Sequence, residues 1–151
     1  MLKSLSSVMI IGAMKCGTTS LYDYLTTHPE ICPCRVKEPE FFSQHQGHGT
    51  QAPYYHQLWN FDGQIHKYML EASTGYTKYP YEADVPKKIY EYGLKPKFIY
   101  LVRNPFERIV SHYNYLRVSP DFDLSIDLTD EGFVSLSKYY LQLSRFLQYF
   151  P

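Results

Sequence analysis

Three times along the chain, a short run of apolar, β-prone residues gives way to a turn and then to an amphipathic helical pattern. The first is Val8-Met9-Ile10-Ile11-Gly12, followed by a helix from residue 18 to about 28, with Leu21, Tyr24, Leu25 and His28 on one face and Pro29 as its stop. The second is Lys67-Tyr68-Met69-Leu70-Glu71, then a Tyr/Pro-rich loop and a helix over residues 84–92, with Asp84 as N-cap, Pro86 in the first turn and Gly93 at C′. The third is Phe98-Ile99-Tyr100-Leu101-Val102, then a helix from residue 105 to about 117. Asn104 as N-cap, Pro105 at N1 and Glu107 at N3 form an Asn variant of the capping box.

Strands that are continuously apolar, alternating with helices, are the pattern of parallel βαβ crossovers with the sheet covered on both faces. The expected fold is α/β: a parallel sheet flanked by helices in three P-loop-like layers, forming one domain over residues 1–151. Ligand sites in such sheets lie beyond the C-terminal strand ends. The residues after Ile11, Leu70 and Val102 therefore carry the search for function. A last helix is expected over about residues 133–150, with Phe133, Leu136, Tyr140, Leu143 and Leu147 on one stripe.

Charge and cysteine content exclude several classes. Fifteen basic residues balance fifteen acidic ones, which argues against a partner bound mainly through the field of nucleic acid or an anionic membrane. Three cysteines are too few for a disulfide framework. The Cys32/Cys34 pair has no second Cys or His pair at zinc spacing. No apolar run approaches the ~20 residues of a membrane span, and the polar opening residues do not read as a signal peptide. A cytoplasmic location is expected on that basis. The 16 tyrosines are expected to serve mostly in packing.

The loop Gly12-Ala13-Met14-Lys15-Cys16-Gly17-Thr18-Thr19-Ser20 joins a buried strand to a helix. Its glycines permit tight turning, the helix N-terminus offers unpaired N–H groups, and Thr18, Thr19 and Ser20 add hydroxyls. Lys15 adds a full positive charge. Together these make a phosphate cradle. It departs from the Walker A loop, because Thr18 and not lysine follows Gly17, which weighs against Mg²⁺-dependent NTP hydrolysis. Arg103 at the third strand's tip, with Ser111 two turns on, suits a second phosphate. In Lys37-Glu38-Pro39-Glu40-Phe41-Phe42, a carboxylate at the mouth of an anion site suits a general base.

The loop Gly12 to Leu21, the segment Lys37 to Phe42, the segment Glu71-Ala72-Ser73-Thr74-Gly75-Tyr76 and the run Leu101 to Tyr113 occur in an order that resembles the PAPS-dependent sulfotransferases. Likeness is greatest to the carbohydrate branch that includes the heparan sulfate N- and 3-O-enzymes. The resemblance covers nearly the whole chain, and it implies PAPS as sulfuryl donor, PAP as product and no metal. It implies that Lys15 contacts the bridging and transferring oxygens and that Cys16, Gly17, Thr18, Thr19 and Ser20 form the 5′-phosphosulfate loop. Arg103 and Ser111 would bind the 3′-phosphate, and Glu38 would be the catalytic base, with Glu40 a less well placed substitute. The acceptor would be a small molecule or a carbohydrate, with His45, His48, Tyr54, Tyr55, His56 and Trp59 shaping its cleft. Ala72 departs from the 3-O-enzymes, which carry lysine there. The family also continues into further strands and a loop over the nucleotide, and the resemblance leaves open whether this chain is a fragment, a truncated reading of its gene or a minimal version of the domain. A Golgi lumenal location follows if the chain is a piece of an animal-type enzyme. The alternatives are a non-catalytic PAPS- or PAP-binding module and a P-loop-like nucleotide kinase.

Overall fold

The structure is a computed structural model that describes residues 6–44 and 54–151. Four parallel strands, β1 (Ser6–Gly12), β2 (Ile31–Pro33), β3 (Tyr68–Ala72) and β4 (Lys97–Tyr100), form one sheet in the order β2-β3-β1-β4. β1 is central, pairing Ser6 through Ile10 with Tyr68 through Ala72 on one side and Val8 through Gly12 with Lys97 through Tyr100 on the other. Its Met9, Ile10 and Ile11 are fully buried, because helices and loops cover both faces of the sheet. That is the reason the strand reads as an unbroken apolar run.

Side chains alternate between two apolar layers. Ile10, Leu70 and Ala72 meet Tyr22, Leu21 and Leu25 of α1 (Thr18–Thr26). Met9, Ile11 and Met69 point the other way, into a cluster with Phe42, Tyr55, Trp59, Tyr76, Phe146 and Ile89 of α2 (Val85–Glu91). Much of the aromatic content is spent there: Phe42 packs edge-on to Phe41 and Tyr92, and Phe98 does so to Phe146 and Phe150. The face expected for α1 is rotated. Tyr24 is 80% exposed, and Tyr22 is buried in its place, donating its hydroxyl to the Cys34 carbonyl.

β2 was not legible in the sequence. It has three residues and ends on Pro33, a residue tolerated here because β2 is an edge strand. Cys32 and Cys34 are buried core residues, and burial pushes the Cys34 thiol up to about 12. α3 (Pro105–Leu116) begins as expected, with Asn104 Oδ1 accepting from the N–H groups of Phe106 and Glu107 at 2.9 and 3.3 Å. The reciprocal half of the capping box does not form, because the Glu107 carboxylate accepts instead from Arg103 Nη2 at 2.8 Å. Asp84 likewise makes no side-chain cap, while Gly93 adopts the expected left-handed conformation with φ of 84°.

The long final helix is two helices, α4 (Glu131–Ser135) and α5 (Tyr139–Leu147). Fully buried Arg108 lies against the break, donating from Nη2 to the Phe133 carbonyl at 2.7 Å and from Nε to Ser137 Oγ at 2.6 Å. The buried face of α5 is Gln142 and Phe146, whereas Tyr140 and Leu147 are exposed. Gln142 is inside because its amide bridges to the backbone of Tyr79 in both directions, accepting at 2.8 Å and donating at 3.0 Å. Among the described residues, no helix is long and apolar enough to cross a membrane.

Candidate functional site

A cavity of about 820 Å³ opens at the C-terminal ends of β1 and β3. Met14, Lys15, Gly17, Thr18 and Thr19 line one side, Val36, Lys37 and Glu38 a second, and Thr74, Lys78, Ser111 and Tyr115 close it. Six residues expected from the sequence are thereby brought to one space: Lys15, Gly17, Thr18, Thr19, Glu38 and Ser111.

The β1–α1 loop is tied to the sheet by its backbone, since Leu101 N–H donates to the Gly12 carbonyl and Ala13 N–H to the Leu101 carbonyl, both at 2.8 Å. Gly12 has no room for a side chain, because a Cβ there would run into Thr77 Oγ1. Gly17, at φ 86°, is the N-cap of α1 and makes no side-chain cap, so the helix presents its first N–H groups and positive dipole end to the cavity. Lys15 is itself left-handed at φ 68°, and its ammonium lies 4.2 Å from the centre of the Tyr115 ring. A cation on an aromatic face is held in place while its N–H groups remain available to an anion.

The second wall is built by carboxylates. Glu38 and Glu40 are both left-handed, at φ 52° and 48°, so the chain turns sharply around Pro39. The two side chains then part. Glu38 is half-buried and lines the cavity, with Oε2 accepting from Thr74 Oγ1 at 2.9 Å. Glu40 is 1% exposed and accepts from Gly75 N–H at 2.8 Å and Ser43 Oγ at 2.6 Å, while its own N–H donates to Ser73 Oγ. Burial raises its pKa. Glu40 is thus an anchor of the turn and does not face the cavity. Lys37 reaches back to α1, donating to Thr19 Oγ1 at 2.7 Å.

Three expected site residues do not line the cavity. Cys16 turns its sulfur toward Tyr139 Oη, 3.7 Å away. Ser20 is exposed one residue past Thr19. Arg103 stands at the edge, its guanidinium bound to Glu107 and to the Lys15 carbonyl at 3.3 Å. Conversely, Thr74, Lys78 and Tyr115 were missed. Lys78 was findable, since it follows the end of β3 where a site was sought. Burial lowers its pKa against the opposing influence of Glu40, Glu38 and Glu82. Ala72 is 1% exposed in the α1-side layer. The aromatic cleft expected around residue 55 is largely core. Tyr55 and Trp59 are buried, whereas Tyr54 and His56 are exposed and line no described cavity; His45 and His48 lie outside the described residues.

Behind this wall Glu71, fully buried at the end of β3, accepts from Tyr55 Oη at 2.8 Å, Tyr76 Oη at 3.3 Å and Ser73 Oγ at 3.4 Å. Burial outweighs these hydrogen bonds and lifts its carboxyl to about 7.

Fold and cavity define a class: a P-loop-like α/β protein with a cationic, nucleotide-sized cavity at its strand ends. The sulfotransferase domain family matches residues 5–151. The chain belongs to the sulfotransferase family. It is 32% identical over 113 residues to the membrane-associated sulfotransferase kil1 of Dictyostelium discoideum, covering 74% of this chain and 23% of that one. It is 25% identical to human heparan sulfate glucosamine 3-O-sulfotransferase 5 over 100% of this chain and 46% of that protein. A crystal structure of a sulfotransferase from Alicyclobacillus acidocaldarius superposes with a TM-score of 0.70 at 25% identity, over 96% of this chain and 69% of that one. The chain therefore spans less than half the length of these two curated relatives.

Proposed function

We propose that the chain takes part in transferring a sulfuryl group from PAPS to a hydroxyl or amine of a carbohydrate acceptor. The observation that carries this reading is one cavity in which Lys15, Lys37 and Lys78 face Glu38 beside the uncapped start of α1. The set fits a phosphosulfate anhydride: unpaired N–H groups and hydroxyls for phosphate oxygens, ammonium groups for their charge, and a carboxylate on the opposite side. Gly17 and Thr18 hold the 5′-phosphate, and Arg103 and Ser111 bind the 3′-phosphate once the guanidinium exchanges Glu107 for it.

Glu38, oriented by Thr74, takes the acceptor's proton as the acceptor oxygen or nitrogen bonds to sulfur. The bond from sulfur to the phosphate oxygen breaks, its electron pair stays on that oxygen, and Lys15 stabilises the charge growing there. A sulfated acceptor, PAP and a protonated Glu38 result, and the proton passes to solvent. Positioning and charge stabilisation do most of the work, as in phosphoryl transfer.

The test is a thermal shift with PAP against ADP and AMP, followed by transfer from labelled PAPS to glycans. A ligand at 100 times its Kd adds about 2.7 kcal/mol of stability. A shift with PAP that ADP does not reproduce is the expected result. A folded chain indifferent to PAP would overturn the reading. A shift without transfer to any acceptor would leave a nucleotide-binding module.

A further inference from the structure

A second cavity, of about 420 Å³, adjoins the first and shares Met14, Lys78 and Tyr115 with it. Its remaining walls come from Tyr81, α3, the stretch leading into α4 and α4 itself, and they are of a different chemistry. Leu116, Phe122, Ile126, Phe133 and Leu136 supply apolar surface. Besides the exposed Tyr81, its other titratable groups are His112 and Asp130, and both are constrained. Asp130 Oδ1 is engaged at the start of α4, accepting from Gly132 N–H at 2.8 Å. His112 is 7% exposed, stacks edge-on to Phe133 with ring centres 5.0 Å apart, and leaves Nδ1 buried with no hydrogen-bond partner.

A mostly apolar pocket with one or two polar groups is the usual design for an uncharged small-molecule moiety. Burial, reinforced by the positive charges of Arg108, Lys78 and Lys15, lowers His112 to about 4 and keeps the ring neutral near pH 7. Among the described residues, a sulfated or carboxylated sugar chain would find in this pocket no cation except Lys78 at the shared wall. A group seated here emerges between Met14, Lys78 and Tyr115 into the space that Glu38 lines.

We infer that the second cavity receives the apolar aglycone of the acceptor, so that the preferred substrate is an uncharged glycoside carrying an aryl or alkyl group, and not a polyanionic glycan. This rests on the sulfuryl-transfer reading of the neighbouring cavity. It differs from that reading in what it demands of the acceptor.

The experiment is calorimetric binding to the full chain saturated with PAP, so that no turnover is needed. The probes are 4-nitrophenyl β-D-glucopyranoside, methyl β-D-glucopyranoside and a heparosan hexasaccharide. The nitrophenyl glycoside is expected to bind at least 10-fold more tightly than the methyl glycoside, with the hexasaccharide weakest. Ile126→Asp, at a half-exposed position, is expected to erase the preference and leave the PAP shift intact. If that variant loses its fold by circular dichroism, Tyr81→Ala at an exposed position on the same cavity is expected to reduce the preference several-fold. Equal binding of the two glycosides, tighter binding of the hexasaccharide, or a preference untouched by the variants would overturn the inference alone. Absence of the PAP shift itself would overturn the donor reading and this inference with it.

Discussion

Across the larger cavity, the loop of residues 13–17 faces the segment of residues 37–42, and the two walls differ in what holds them. The loop is secured by backbone hydrogen bonds to the strand pair β1–β4. Its side chains and the first N–H groups of α1 are thereby left for a ligand. The opposite wall is secured by side chains: buried Glu40 clamps Gly75 and Ser43, Phe42 enters the core, and Glu38 is left facing the cavity. A substitution in the first wall should cost activity more than folding, and in the second wall the reverse, with Glu38 as the exception.

The sharpest way to break that comparison is kinetic. Lys15→Ala and Glu38→Gln are each expected to lower sulfuryl transfer by about 10²-fold or more with little loss of melting temperature. A Glu38→Gln chain with near-normal rate would remove the base from the scheme. Gly75→Ala tests the other wall. Its Cβ would collide with the Glu40 carboxylate, and a loss of about 2–3 kcal/mol by urea unfolding is expected. Adding Glu40→Ala should cost less than the sum of the single changes, because the two residues share one contact.

The pH dependence sharpens the contrast further. Glu71 ionises near 7 in the folded chain but near 4.5 when unfolded, so between those values the folded state holds the extra proton. Stability from this group is complete below about 4.5 and is lost as pH rises through 7, on the order of 3 kcal/mol. Glu71→Gln is expected to flatten that slope between pH 5 and 8. His112 acts in the opposite sense, since its folded value is depressed to about 4 from 6.5; its contribution is present above 6.5 and lost as pH falls through 4. The smallest expected effect is Asn104→Ala, about 1 kcal/mol from the lost helix cap, measured by thermal unfolding.

What the sequence disclosed, and what it hid, follows from range. β1, α1 and α3 were legible because apolar runs, Gly17 and the Asn104-Pro105 start are local signals. The break between α4 and α5 was hidden because it depends on Arg108, 25 residues before Phe133 in the chain. Gln142 defeated the apolar stripe by being a polar residue whose partners, the backbone of Tyr79, are 63 residues away. In the cavity, the loop residues and Glu38 stood out through spacing around glycine and proline. Lys78 was available from its place after β3 and was overlooked, whereas Thr74 and Tyr115 did not stand out, because only the packing of β3 and α3 against β1 brings them to the same space.

Among the described residues, no carboxylate lies against Arg108; a carbonyl and a hydroxyl take its charge, and Nη1 is left buried without a partner. Its planar fork reaches two points of the bend between α4 and α5 at once, which a lysine cannot do. The helix that carries Ser111 and the far side of the apolar cavity are therefore pinned as a single part by one side chain. A lesion at this pin would loosen the two cavities in one stroke, without touching an atom of either ligand.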